Sequence, residues 1–236
     1  MADTLKFACV WGTEPGLRSF RVTIVVLALA LLGFVATVFR PEYKVTFDDK
    51  DETVVFLNAL AGQARFEEPY SYFAQTQELV RCIDLMESSI GALMGNFAQE
   101  AVATACQDLA DAVLTTAPSF SLAHFVMAYA DAKLGNVEEA ASALAMAVQL
   151  APNEGWQAAR RLKLAFDLGP ETVAEAAQQD ALLVVQSSRY RFVLADIYTQ
   201  YPEHRDWLTA SLSGADGRDL RAFLGQIRNA AGSGIF

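Results

Sequence analysis

The sequence lacks the short motifs that mark the common enzyme and metal-binding classes. It contains two histidines, His124 and His204, and three cysteines, Cys9, Cys82 and Cys106. No H-E-x-x-H, C-x-x-C or G-x-S-x-G pattern occurs, and there is no Gly-rich phosphate loop. A zinc site or a histidine-dependent catalytic site needs more ligands than these. We therefore expect a protein that is not an enzyme and uses no cofactor or metal ion.

Strand patterns and basic charge are also scarce. No stretch flanked by turns alternates apolar and polar residues, and the nearest candidate, ALLVVQ at 181–186, lies inside a helical frame. Residues 41–236 contain 14 Lys and Arg against 26 Asp and Glu, a net charge of −12. Such an acidic domain repels phosphate backbones. The sequence thus predicts an all-α domain whose partners do not include nucleic acid.

One long apolar run is present, VTIVVLALALLGFVATVF at residues 22–39, without charge or proline. As a helix rising about 1.5 Å per residue, it would be about 27 Å long, close to the thickness of a bilayer core. The alternatives are a buried core helix and a cleaved signal peptide. A signal peptide has a shorter apolar core followed by a small-residue cleavage site, and no A-x-A pattern follows here. We therefore expect an uncleaved anchor that contacts the lipid bilayer over residues 22–39.

The charges that flank this run predict the orientation of the anchor. Lys6, Arg18 and Arg21 precede it, whereas Arg40 and Lys44 follow it. Positive charge near a membrane span favours the cytoplasmic side, and the count is three against two. We expect a single-pass protein with a cytoplasmic N-terminus. In a bacterium this places the protein in the inner membrane and its C-terminal domain in the periplasm.

Glycine and proline divide the rest of the chain into short helical segments. Breaks are expected at Gly95-Asn96, Pro118, Gly135, Pro152, Gly169-Pro170, Pro202 and Gly214. The predicted organisation is a cytoplasmic tail at 1–20, a transmembrane helix at 21–40, a linker at 41–52, an extracytoplasmic helical domain at 53–232 and a tail at 233–236.

Two cysteines of the predicted helical domain have a suggestive spacing. Helices over 77–94 and 98–114 would form a hairpin at Gly95-Asn96, which brings Cys82 within one turn of Cys106. A disulfide needs Cα atoms about 5.5 Å apart, which neighbouring helices allow only with the right rotation. The pair is therefore either a disulfide, as an oxidising compartment permits, or two buried free thiols.

The stretch SLAHFVMAYADAKLGNVEEAASALAMAVQLAPNE at 121–154 resembles a tetratricopeptide repeat. Pro118 and Pro152 are 34 residues apart with Gly135 midway, and 34 residues is the period of that helix–turn–helix repeat. The matching positions are Ala128, Gly135, Ala140, Ala147 and Pro152-Asn153. The resemblance covers one unit of the chain, and it implies a short, irregular repeat-like α-solenoid after the anchor.

The resemblance also implies a binding surface, because the first helices of such repeats line a concave face. The residues that it places there are Leu122, Phe125, Tyr129 and Lys133, spaced by three or four. An apolar-aromatic stripe that ends in a lysine suits an extended peptide or a helix. The alternative is that the C-terminal helices cover the stripe as ordinary core.

A second candidate surface is the basic group Arg160, Arg161 and Lys163. On an acidic domain, this group could hold an acidic partner or a polysaccharide. Alternatively, its members are solvated and pair locally with carboxylates.

These patterns predict a membrane-anchored, non-enzymatic scaffold or adaptor. It would recruit or stabilise other envelope or membrane proteins of a bacterial cell-envelope assembly, within a larger complex. One alternative is an accessory subunit of envelope polysaccharide synthesis or export. Another, of a different class, is an enzyme whose site is built from scattered Glu, Tyr and Arg residues.

Overall fold

A computed structural model of the chain describes residues 15–47, 65–66, 68–88, 93 and 95–232. Every regular element in these ranges is a helix, which confirms the predicted all-α class for the described part. Contacts divide the chain into two compact units, residues 1–48 and 49–236. Cys9, the predicted tail at 233–236 and most of the predicted linker lie outside the described residues.

The first unit is dominated by helix α1, Pro15–Phe47. Its stretch Phe20–Val45 is long and apolar enough to cross a membrane, and its most apolar window is not buried at all. Length and composition alone fit an anchor or a signal sequence. The Thr37 hydroxyl donates to the Phe34 carbonyl at 2.7 Å, so this polar group is satisfied within the helix, as a lipid environment requires.

Helix α1 extends beyond the predicted end of the transmembrane helix at residue 40 and into the predicted linker. Helix α1 continues through Pro41 to Phe47. Proline removes one backbone donor and crowds the carbonyl four residues before it, but it leaves the residues after it free to stay helical. A proline inside an apolar pattern is therefore a kink site as well as a stop signal.

The second unit contains nine α-helices within its described residues. They are α2 Tyr72–Glu87, α3 Asn96–Thr116, α4 Ser121–Leu134, α5 Val137–Leu150, α6 Gly155–Asp167, α7 Ala174–Gln186, α8 Arg191–Gln200, α9 Arg205–Ser211 and α10 Gly217–Gly232. Short 3-10 turns at Pro202–His204 and Leu212–Gly214 flank α9. All the predicted helix breaks fall between these helices, at their ends or in the 3-10 turns.

Helices α4 and α5 form a hairpin closed by a two-residue turn. Gly135 has φ +84°, the left-handed conformation that glycine adopts without a Cβ penalty. The amide of Asn136 donates to the carbonyl of Asp131 at 2.9 Å, which satisfies an end carbonyl of α4. Ala140 and Ala147 of α5 are fully buried, as is Ala128 of α4, so small side chains lie where the helices approach closely.

The core of this unit is built by neighbouring helices along the chain. Helix α3 packs on α4, α2 packs on both α3 and α4, α6 packs on α7, and α8 packs on α10. Cys82 of α2 and Cys106 of α3 are both fully buried and joined by a disulfide, with Cα atoms 5.6 Å apart. Of the two alternatives for this pair, the structure contains the bonded one.

Candidate functional site

The predicted concave stripe on α4 is largely interior. Leu122 is 1% exposed and Phe125 is 0% exposed. The prediction that these two residues line an open groove is therefore wrong. Helix α2, which precedes residues 121–154, packs on α4 together with α3 and α5. The apolar spacing of these residues therefore reflects core packing. The helices that cover them include α2, which lies before α4 in the chain, and not only helices that follow it.

Arg161 is also interior, which corrects its assignment to a basic surface. It is 0% exposed, and its Nε and Nη2 donate to the two carboxylate oxygens of Asp180 at 2.9 and 2.7 Å. Its Nη1 and Nη2 also donate to the carbonyls of Ala147 and Ala151, both at 3.2 Å. Burial raises the pKa of Asp180, and the guanidinium opposes that effect. Arg161 therefore fastens α6 to α7 and to the end of α5.

Arg160, its neighbour in sequence, points elsewhere. Its Nη2 lies 2.8 Å from Oδ1 of Asp84, which joins α6 to α2. Another of its nitrogens, Nη1, is enclosed and has no hydrogen-bond partner in the described part of the chain. The three predicted basic residues thus do not form one surface.

Three predicted residues, Tyr129, Lys133 and Lys163, do come together. They line a cavity of about 220 Å³ where the end of α2 meets α3, α4 and α6, and we call it the Tyr129 cavity. Its full lining is Leu85, Met86, Glu87, Ser88, Gln99, Val102, Tyr129, Lys133, Lys163 and Asp167. The lining combines an apolar wall with ammonium, carboxylate and phenol groups.

The carboxylates of this cavity, Glu87 and Asp167, were not predicted. Asp167 lies four residues after Lys163 on α6, so the helical period alone places both side chains on one face. That spacing is a signal that the sequence offers. Glu87 is the last residue of α2. It reaches the cavity only because α2 packs on α4, and no local pattern shows this.

Burial, together with nearby carboxylates, keeps the phenol of Tyr129 protonated. Burial raises its pKa well above the ordinary value, and the charges of Glu87 and Asp167 raise it further. The Nζ atom of Lys133 lies 5.5 Å from the centroid of the same ring, within cation–π distance. The hydroxyl of Tyr201 donates to Oδ1 of Asp167. Tyr129 is thus a neutral hydrogen-bond donor at any physiological pH.

A second concavity, of about 380 Å³, has an aromatic lining. Tyr72 stacks on Phe120 with ring centroids 4.8 Å apart, and Trp156 lies on the same groove. The remaining lining residues are Ala117, Ser119, Ser121, Leu150, Ala151, Glu154 and Gln157. This lining, which we call the aromatic groove, contains the carboxylate of Glu154 and no lysine or arginine, so it offers no positive group to an anionic ligand.

The two histidines have local partners. Nε2 of His124 lies 2.9 Å from the carbonyl oxygen of Pro118, and Nδ1 of His204 lies 3.5 Å from a carboxylate oxygen of Glu171. Among the residues that the structure describes, no group of three His, Cys, Asp or Glu side chains could hold a metal ion.

Comparison with known proteins adds no family to this geometry. No protein-family model matches the chain, and neither a curated protein nor a solved structure matches it. The interpretation of the site therefore depends on its own residues. A cavity with two ammonium groups, two carboxylates and an apolar wall can bind and orient a small charged ligand.

Proposed function

We propose that this protein is a membrane-anchored, non-enzymatic adaptor whose helical domain recruits or stabilises partners of a bacterial cell-envelope assembly. The observation that carries the proposal is a set of large apolar side chains on the surface of the helical unit. Tyr70, Tyr72, Phe73, Leu93 and Phe97 are between 60% and 87% exposed. All five lie between residues 70 and 97, and burying large exposed apolar side chains against a partner is favourable. The apolar helix α1 supplies the anchor.

We assign the α4–α5 hairpin as one tetratricopeptide-like unit of a short, irregular α-solenoid. Two 14-residue helices, a left-handed glycine at the turn and buried alanines at the crossing support this assignment. A single unit cannot bury both of its faces alone. In this proposal, the hairpin is covered by α3 on one side and by α6 and α7 on the other.

The adaptor domain lies outside the cytoplasm in this proposal. The disulfide between Cys82 and Cys106 supports that location, because disulfides persist in oxidising compartments and are rare in the cytosol. The charges flanking the apolar run favour the same orientation. In a bacterium, the anchor would lie in the inner membrane and the domain in the periplasm.

A second candidate function is an accessory role in envelope polysaccharide synthesis or export. The aromatic groove favours it, because Tyr72 and Trp156 offer aromatic surface while Glu154 and Ser119 offer hydrogen-bonding groups. Ring faces together with neutral and acidic hydrogen-bonding groups suit an uncharged glycan segment.

Site-specific photo-crosslinking in cells tests the adaptor proposal. A photoreactive phenylalanine analogue would replace Phe73 or Phe97, and Phe192 on α8 provides an exposed control at 53%. We expect the same envelope proteins to be captured at the first two positions and not at Phe192. Equal capture at all three positions, or no captured protein at any, would contradict an adaptor surface at the start of α2 and α3.

A further inference from the structure

The Tyr129 cavity carries balanced charge on different helices. Glu87 lies on α2, Lys133 on α4, and Lys163 and Asp167 on α6, which gives two negative and two positive groups. A ligand with a single charge would meet as much repulsion as attraction in such a cavity. A ligand with both charges can place its positive group near the carboxylates and its negative group near the lysines.

The four charged groups differ in how well the protein already satisfies them. Asp167 accepts a hydrogen bond from the hydroxyl of Tyr201. Glu87, in contrast, has an enclosed oxygen, Oε1, without a hydrogen-bond partner in the described part of the chain. An enclosed carboxylate oxygen without a donor is unfavourable. Glu87 is therefore the group that a cationic ligand atom would stabilise most.

The positive groups of the cavity are available to an anion. Neither Lys133 nor Lys163 forms a salt bridge with another described residue, although the ammonium of Lys163 also interacts electrostatically with the carboxylate of Asp196 on α8. The protonated phenol of Tyr129 adds a neutral donor beside them. A carboxylate in the cavity could thus accept from two ammonium groups and a phenol.

The remaining wall is apolar, with Leu85, Met86 and Val102 contributing side chains. A volume of about 220 Å³ is too small for a folded peptide segment and suits a ligand of amino-acid size. An aliphatic group packed against this wall would add the favourable free energy of apolar burial.

We propose that the Tyr129 cavity binds a small zwitterion with an apolar body, of the α-amino acid class. The ammonium group of the ligand binds Glu87, and its carboxylate binds Lys133 and Lys163. The aliphatic side chain packs against Leu85 and Val102. This binding site is independent of the adaptor surface at Phe73 and Phe97.

Titration calorimetry on the whole chain in detergent tests this assignment with L-leucine as the probe. The matched analogues are leucinamide, which lacks the carboxylate, and N-acetyl-leucine, which lacks the ammonium. We expect leucine to bind, and each analogue to bind at least about tenfold more weakly. Leucyl-leucine, whose two charged ends are farther apart, distinguishes a free amino acid from a peptide, and we expect it to bind as weakly as the analogues.

Two variants locate the binding, with Glu138→Gln on the exposed start of α5 as the matched control. Glu87→Gln should weaken leucine binding while leaving the weak binding of N-acetyl-leucine unchanged. Lys163→Met should weaken leucine while leaving leucinamide unchanged. Equal affinity of wild-type protein for leucine and either analogue would overturn the proposal, as would no heat of binding at about 10 mM leucine. The analogue series on wild-type protein decides the question even if a variant does not fold.

Discussion

At the scale of single residues, the buried pair of Arg161 and Asp180 shows how a charged side chain can be part of the core. Both side chains are almost completely enclosed, and the guanidinium donates to two carboxylate oxygens and two backbone carbonyls. A buried ion pair of this kind is favourable only while both partners are present. Removing one partner leaves the other charged and enclosed.

We expect Arg161→Met to destabilise the protein by about 3–5 kcal/mol, because Asp180 then lies buried without its counter-charge. The double variant Arg161→Met/Asp180→Leu should recover most of that loss, since no isolated charge remains. Urea unfolding of the detergent-solubilised chain measures both. The adjacent Arg160→Met is the control, because the partner of Arg160, Asp84, is largely exposed and such pairs contribute about 0–1 kcal/mol. Equal losses for Arg160 and Arg161 would contradict this account.

The carboxyl of Asp131 predicts a pH dependence of stability. It accepts from Nε2 of Gln107 at 2.8 Å and from Asn136 at 3.4 Å, yet burial is the larger effect and raises its pKa above 3.8. Folding therefore favours the protonated form, so this group lowers stability as pH rises from about 3.8 through its folded pKa. Above that pKa its unfavourable contribution is constant.

We expect Asp131→Asn to remove this dependence while keeping an acceptor for Gln107. The difference in free energy of unfolding between the variant and wild type should shift in favour of the variant as pH rises above about 3.8, and then level off. Chemical unfolding at a series of pH values measures the difference. A difference that is constant across this range would show that the pKa of Asp131 is the same in the folded and unfolded chain.

At the scale of elements, the turn between α4 and α5 depends on one backbone conformation. Gly135 has φ +84°, and no atom lies within 4 Å of the point that a Cβ would occupy, so a side chain there meets conformational strain and no clash. We expect Gly135→Ala to cost about 1–2 kcal/mol, the penalty of a left-handed conformation for an L-residue. Gly225→Ala, inside α10 and equally free of close neighbours, should stabilise by up to about 1 kcal/mol.

Thermal unfolding of the two variants compares the same chemical change in two conformations. A lower midpoint for Gly135→Ala together with a higher midpoint for Gly225→Ala supports the assigned turn. A stabilising Gly135→Ala would mean that residue 135 adopts a negative φ in solution.

Local patterns in the sequence predicted where the helices lie better than they predicted which helices contact each other. Gly135, Pro152 and Gly169 mark real helix ends because their backbone preferences act locally. The burial of Phe125 was not predictable in the same way, since an apolar stripe at helical spacing is identical for a groove and a core. Only the packing of α2 on α4 distinguishes the two. The burial of Arg161 was not predictable either, because its partner Asp180 lies 19 residues away on another helix.

At the scale of the whole molecule, the disulfide links the first two described helices of the second unit. Cys82 and Cys106 are 24 residues apart, and closing a loop of this length stabilises a protein by about 2–4 kcal/mol. We expect Cys82→Ser/Cys106→Ser to lose about this amount, and reductant to lower the unfolding midpoint of wild type alone. Differential scanning calorimetry with and without reductant tests both. If reductant lowers the midpoint of the double variant equally, the effect of reductant does not come from the bond between Cys82 and Cys106.

The disulfide also bears on the proposed membrane topology. If the helical unit is exported, the Cys82 and Cys106 thiols are oxidised in cells, and a protease added to spheroplasts digests the unit. A unit that stayed in the cytoplasm would have thiols that react with an alkylating reagent in intact cells, and the inner membrane would protect it. We expect an exported unit with oxidised thiols, since the charges flanking the apolar run and the bonded cysteines favour the same orientation.

Alkylation followed by mass measurement counts the free thiols, and Cys9 should be the single one that reacts. Two further reactive thiols together with protease protection would contradict the predicted orientation and a periplasmic location for the proposed adaptor.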